Sequence, residues 1–180
     1  MNSSVDAAPR SYDRTQIVLH WLIAVMIFGL YAVGLTVDLF DKPVRPFIIN
    51  LHAVFGLAVL ALVALRLVWR TTHETPPYPA NMGPLFRKAA AAGHGLLYLL
   101  MVFIPLLGLG AFFRRGKPLD FGLLQIPSPL EADRDIAHQI TEIHGLLANI
   151  LIALVVGHVL VALYHQFVLR DDLLARMRLR

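Results

Sequence analysis

The sequence predicts an all-α integral membrane protein, a four-helix bundle with both termini in the cytoplasm. Three observations point there. The chain is 57% hydrophobic and 16% charged, with a mean hydropathy of +0.65, outside the range in which soluble domains balance core against surface. Four apolar runs are each long enough to cross a hydrocarbon core of about 30 Å at about 1.5 Å per helical residue. Turn-forming and charged residues collect in the three connectors between those runs. Strands are excluded for the spans, because no run shows the period-2 alternation of a barrel wall.

The first span is expected over residues 17–37, where "IVLHWLIAVMIFGLYAVGL" is apolar except for His20. This run is too long for the apolar region of a signal peptide, and no small-x-small cleavage site follows it, so it is expected to remain as a span. After "DLFDKPVRP" comes the second span, 48–69, with His52 near its start. The third, 89–113, opens on His94 and contains Pro105, which is expected to kink the helix and free a carbonyl. The fourth, 143–169, carries His144, His158 and His165. Ahead of it, "LEADRDIAHQITEI" reads as a helix lying at the periplasmic interface. A single domain over 1–180 is the economical reading.

Orientation follows from Lys and Arg, which are retained on the cytoplasmic side. Ten of the sixteen fall before the first span (Arg10, Arg14), around the second connector (Arg66, Arg70, Arg87, Lys88) or in the C-terminal tail (Arg170, Arg176, Arg178, Arg180). The other six, Lys42, Arg45, Arg114, Arg115, Lys117 and Arg134, lie in the first and third connectors. The net charge of +4 therefore needs no nucleic-acid partner, since basic flanks are what a polytopic inner-membrane protein carries. With no cysteine, disulfides, Cys-ligated iron–sulfur clusters and covalently attached c-type haem are excluded. No P-loop, dinucleotide fingerprint or catalytic triad is present.

The histidines carry the chemistry. His73 and His138 lie in connectors and read as solvated; the other six lie in spans, where an ionisable ring is expensive and marks a functional site. His144 and His158 are fourteen residues apart, which puts them about 40° short of four full turns, on one face and about 21 Å apart along the axis. Counted from the span ends, His20 and His52 differ in depth by about 18 Å, which matches that separation within the boundary error. His20 is thus expected to pair with His158 near the cytoplasmic side, and His52 with His144 near the periplasmic side. His138, about 600° before His144, points away from that face.

Two imidazole pairs at two depths of one apolar bundle are what two bis-His b haems require. Zinc would need about four converging ligands, and neither depth offers the extra carboxylates or thiolates. The competing reading is that the rings make interhelical hydrogen bonds. Small residues such as Gly34, Gly108 and Gly145 can make room for a macrocycle, or can simply allow close helix packing.

Four stretches, "QIVLHWLIAVMIFGLY", "NLHAVFGLAVLALVALRLVWR", "GHGLLYLLMVFIPLLGL" and "EIHGLLANILIALVVGHVLVALYHQF", together resemble the bacterial cytochrome b561 family. The match spans nearly the whole chain, and the family's H-W, N-x-H and H-x13-H stand here as His20-Trp21, Asn50 to His52, and His144 to His158. The resemblance implies two haem b groups in the inner membrane, with His20, His52, His144 and His158 as axial iron ligands. It also implies one-electron exchange with the ubiquinone pool, of superoxide oxidase type, in which periplasmic superoxide reduces the haems and ubiquinone accepts the electrons. That activity is an analogy of family rather than a reading of spacing.

Six-coordinate haem has no open position, so it favours outer-sphere electron transfer. An anionic donor would be drawn by the outward charge of Arg114, Arg115 and Lys117, although these residues also suit interfacial snorkelling or pairing with haem propionates. Arg66 shares the face of His52 and could pair a propionate of the inner haem. His94 and His165 lie at the cytoplasmic level, where either could hydrogen-bond a quinone, pass it a proton, or replace His20 as ligand. Two other functions stay open: a cytochrome b anchor subunit linking quinone to a hydrogenase- or dehydrogenase-type partner, and a haem-free transporter whose histidines relay protons.

Overall fold

A computed structural model describes residues 11–79 and 82–179; Arg10 and Arg180, two of the charges used above for orientation, lie outside the described residues. Four helices run up and down: α1 Arg14–Thr36, α2 Arg45–Thr72, α3 Pro84–Arg114 and α4 Arg134–Tyr164. All four are long and apolar enough to cross a membrane. By parity, the start of α1 and the end of α4 lie at one end of the bundle, called here the termini end, and the first and third connectors lie at the other, the loop end.

Each helix begins earlier than its apolar run because a capping or first-turn residue precedes the run. At α1, the Asp13 side chain accepts the Gln16 N–H at 3.0 Å, satisfying one of the donors a helix start leaves open. Pro46 and Pro84 sit in the first turns of α2 and α3, where a missing N–H costs nothing. At α4, Asp133 Oδ1 accepts from the N–H groups of Asp135 and Ile136 at 3.1 and 2.9 Å. With that cap in place and no proline up to Tyr164, α4 runs unbroken. The interfacial helix expected before the fourth span is therefore the first turns of α4 itself. His138 stands on those turns instead of in a connector, exposed beside Glu142 at 3.5 Å. His73 closes α2 by stacking on Trp69, with ring centroids 4.0 Å apart. Helix α3 continues through Pro105, whose missing N–H leaves the Met101 carbonyl without its ladder partner.

The third connector is ordered. The chain leaves α3 through Gly116 at φ 73°, a left-handed position that suits glycine after a helix end. It then forms a small hairpin, β1 Leu119–Asp120 against β2 Gln125–Ile126. Asn50 on α2 pins that hairpin from below: its Nδ2 donates to the Asp120 carbonyl at 2.7 Å, and its Oδ1 accepts the Asp120 N–H at 2.9 Å. The Asp133 N–H donates back to the Arg114 carbonyl at 2.8 Å, closing the loop onto α3.

Packing runs α1 on α2, α2 on α3 and, most closely, α3 on α4. The buried cluster, Ile23, Val59, Val63, Leu100, Met101, Ile104 and Leu151, lies at mid-bundle. Large apolar side chains such as Val25, Leu35, Val68 and Leu160 face outward, as they do where the surrounding solvent is lipid. Between α1 and α4 the backbones stand apart, and side chains bridge the seam, as where Tyr31 Oη donates to Asn149 Oδ1 at 2.8 Å. Past α4 the chain makes a π-helical turn, His165–Leu169. Its tail then docks on the start of α1, with Tyr12 N–H donating to the Arg176 carbonyl at 3.1 Å and the Trp21 indole to the Met177 carbonyl at 3.0 Å.

Candidate functional site

Histidines from all four helices meet in two layers, above and below the buried cluster. Toward the termini end, the rings of His20 on α1 and His158 on α4 have centroids 6.3 Å apart at 65°. Toward the loop end, His52 on α2 and His144 on α4 stand 6.0 Å apart at 71°. No hydrogen bond joins the two rings of either pair. Imidazoles bound on opposite sides of one metal atom, with bonds of about 2 Å and roughly 1.2 Å from nitrogen to ring centre, have centroids about 6.4 Å apart. Both pairs fit that spacing, so the donor set suits a metal held between two rings at each depth.

The loop-end pair shows how such a ring is set. His144 Nδ1 lies 2.9 Å from the carbonyl oxygen of Ile104 on α3, so Nδ1 carries the hydrogen and Nε2 is left to ligate. This approach requires Gly108, because a Cβ there would fall 2.8 Å from His144 Cε1 and 3.0 Å from Nδ1. Around the pair opens a cavity of about 350 Å³, lined among others by Gly34, Tyr31, Asn149 and Arg115. Its walls are chiefly apolar with a few polar groups, which is the make-up of cofactor pockets.

The termini-end layer gathers a third ring, since His94 on α3 lies 5.5 Å from His158. Arg66 on α2 stands over the Tyr98 ring at 5.7 Å. His165 is engaged elsewhere: its Nδ1 lies 2.6 Å from Asp171 Oδ2 in the tail. Of the two histidines given the same alternative roles in the sequence, His94 therefore joins the layer and His165 turns to the tail.

The three loop-end cations part company. Arg114 donates to the Glu131 carbonyl at 3.2 Å. Arg115 donates to Thr141 Oγ1 at 3.3 Å and lines the histidine cavity. Lys117 lines a smaller adjoining pocket, about 160 Å³, together with Lys42, Arg45 and Arg115. Lys42 and Arg45 entered the sequence reading only as charges to be counted. Their short connector bearing "KPVR" was the available signal, but Arg45 is also held by Asp38 at 3.2 Å.

Gly108 entered the sequence reading only among the small residues that make room for a macrocycle or for close packing, Asn50 only as the start of the N-x-H motif, and Asp171 not at all. A glycine about one turn beyond the proline of an apolar helix looks like any packing glycine, and the partner of Asp171 is set by a chain reversal that no periodicity announces.

Comparison with known proteins gives a consistent picture. The sequence model of the family described as "Prokaryotic cytochrome b561" matches residues 11–179. A protein of Yersinia pestis named "Probable superoxide oxidase CybB" is 30% identical over 93% of this chain and 96% of its own length. "Cytochrome b561 homolog 2" of Escherichia coli K12 is 32% identical over 94% and 92%. "Cytochrome b562" of Cereibacter sphaeroides is 35% identical over 92% and 94%.

Proposed function

Because the chain belongs to the prokaryotic cytochrome b561 family, multi-pass inner-membrane proteins that bind b-type haem and transfer electrons, we propose that it carries single electrons from a periplasmic donor through two bis-His haems to ubiquinone. The observation that carries the reading is the pair of ring separations, 6.3 and 6.0 Å, each matched to one metal atom between two imidazoles. Haem supplies one-electron chemistry when bound. His20 and His158 would hold one group and His52 and His144 the other, with the Ile104 carbonyl fixing the tautomer of His144. The buried cluster between the layers keeps water out of the electron path.

The termini end is taken as cytoplasmic on the distribution of Lys and Arg, so the loop-end cavity faces the periplasm. Superoxide is favoured as donor by the name of the Yersinia pestis relative and by the cations at that mouth, Arg115, Lys117 and Lys42, which would raise the local concentration of a small anion. Arg114 contributes to the same field from the rim. At the other end Arg66 and His94 are placed to hold a propionate or the quinone. Two superoxide ions oxidised to dioxygen balance one ubiquinone reduced, with two protons, to ubiquinol.

Purified protein carrying single His→Ala changes tests the assignment by its reduced-minus-oxidised visible spectrum. His20→Ala and His158→Ala should lose the same haem, and His52→Ala and His144→Ala the other. Four mutants that do not group this way overturn the pairing, and colourless wild-type protein overturns the function.

A further inference from the structure

From Phe121 to Leu130 the third connector carries no charged residue, and its large apolar side chains face outward. Phe121 is 42% exposed, Leu124 62%, and Leu123 wholly so. Polar groups of the hairpin turn inward instead. The Phe121 N–H donates to the Leu124 carbonyl at 2.9 Å. Asp120, the one charge in the hairpin, turns its carboxylate onto its own loop: Oδ1 accepts the Gly122 N–H at 2.7 Å and Oδ2 the Gln125 side-chain amide at 3.0 Å. Gly122, at φ 88°, makes that reversal without a Cβ clash. A loop with apolar side chains outside and backbone donors paired within is suited to surroundings poor in water.

The anchor of the hairpin shows what those surroundings are. Asn50, which pairs with Asp120, stands two residues before His52 and so points about 200° away from the ring that faces the bundle interior. It stands eighteen residues before Val68, about five full turns, and therefore shares the outward face on which Val68 is 61% exposed. The hairpin thus lies against the outward face of α2. Its depth follows as well, because Asn50 is five residues past Arg45, about 7.5 Å inside the start of the helix. Asp120 directs both of its backbone groups to Asn50, and neighbouring residues of a strand bond to opposite edges, so β2 lies on the side of β1 away from that asparagine.

We propose that the hairpin is a lipid-docking element, in which Phe121, Leu123 and Leu124 enter the bilayer leaflet at the loop end beside α2. Phospholipid acyl chains are the occupant because the apolar tip continues the outward face of a membrane-spanning helix, at a depth inside that helix's start. The docking requires no particular electron donor or acceptor.

The chain has no cysteine, so a single introduced one carries a single nitroxide label. Haem-loaded protein with Leu123→Cys or Leu124→Cys is labelled and reconstituted in vesicles of phosphatidylethanolamine and phosphatidylglycerol. Relaxation of the label is then compared between dioxygen, which concentrates in lipid, and a neutral nickel chelate, which stays in water. Val25→Cys supplies the lipid reference and Glu131→Cys, in the same connector, the water reference. Both hairpin labels should be mobile and should match the Val25 reference, relaxed more by dioxygen than by nickel. Adding Leu123→Asp should shift the label at position 124 to the nickel-accessible side, because a carboxylate resists leaving water. Preferential relaxation by nickel at positions 123 and 124 overturns the inference by placing the tip in water, as does a label that Leu123→Asp leaves unmoved. A label shielded from both reagents overturns it in favour of a covering protein, and dipolar broadening that grows with the labelled fraction identifies that cover as a second copy of the chain.

Discussion

Two residues show how much depends on single atoms. Gly108 leaves open the space that the His144 ring occupies where its Nδ1 meets the Ile104 carbonyl. Gly108→Ala should push that ring away and lower the affinity of the loop-end site at least about tenfold, as losses of partners to metal ligands do. Haem titration followed by visible spectroscopy reads this, and the termini-end site is the internal control. Asp13 acts outside the membrane. Burial works to raise its pKa, but hydrogen bonds from Gln16, 3.0 Å away, and the Trp69 indole, 3.2 Å away, outweigh burial and hold it below the usual carboxylate range. A depressed carboxylate contributes stability above its unfolded pKa of about 3.9 and loses it as pH falls through the folded value. Asp13→Ala should therefore cost about 1 kcal/mol at neutral pH. In thermal melts, the gap from wild type should narrow below about pH 4; a gap that holds in acid would show that the carboxylate charge plays no part.

At the loop end, a few well-placed polar contacts tie the third connector to the apolar bundle. The β1–β2 hairpin is small and its second strand is exposed, so pairing between the strands does not hold it alone. What holds it is Asn50, whose amide mimics a neighbouring strand by bonding both the N–H and the carbonyl of Asp120. Asn50→Ala removes both bonds, each worth about 1 kcal/mol. Amide exchange in residues 118–126 should rise about tenfold while exchange in the middle of α2 and α3 stays slow. Unchanged exchange would mean that the connector's other bonds to α3 suffice, from Ser128 Oγ to the Phe113 carbonyl at 2.9 Å and from the Asp133 N–H to the Arg114 carbonyl at 2.8 Å. The same asparagine stands two residues before His52, so the N-x-H spacing puts the hairpin anchor and the loop-end ring on one stretch of α2.

At the scale of the molecule, the apolar exterior and the basic termini end set how the protein sits in the bilayer. On the proposed orientation, in which the basic termini end faces the cytoplasm, a reporter fused after residue 179 should behave as a cytoplasmic one, and a reporter placed in the third connector near Leu123 as a periplasmic one. The reverse pattern would put the Lys42, Arg115 and Lys117 pocket on the wrong side for a periplasmic anion.

Much of this was legible beforehand because helix geometry is local. A rise of about 1.5 Å and a turn of about 100° per residue fix the depth and face of every histidine once the spans are known. The four spans, the common side of both termini and the meeting of His20 with His158 and His52 with His144 could therefore be read from residue numbers alone. Tertiary structure decided what depends on contacts between elements distant in sequence. It put His94 in the termini-end layer and turned His165 to Asp171. It also separated Arg114 from Arg115 and Lys117, joined Asn50 to the hairpin, and made Gly108 the seat of His144. Depth and face are properties of one helix and its own spacing, whereas a side chain's partner is chosen by how helices and tails pack around it.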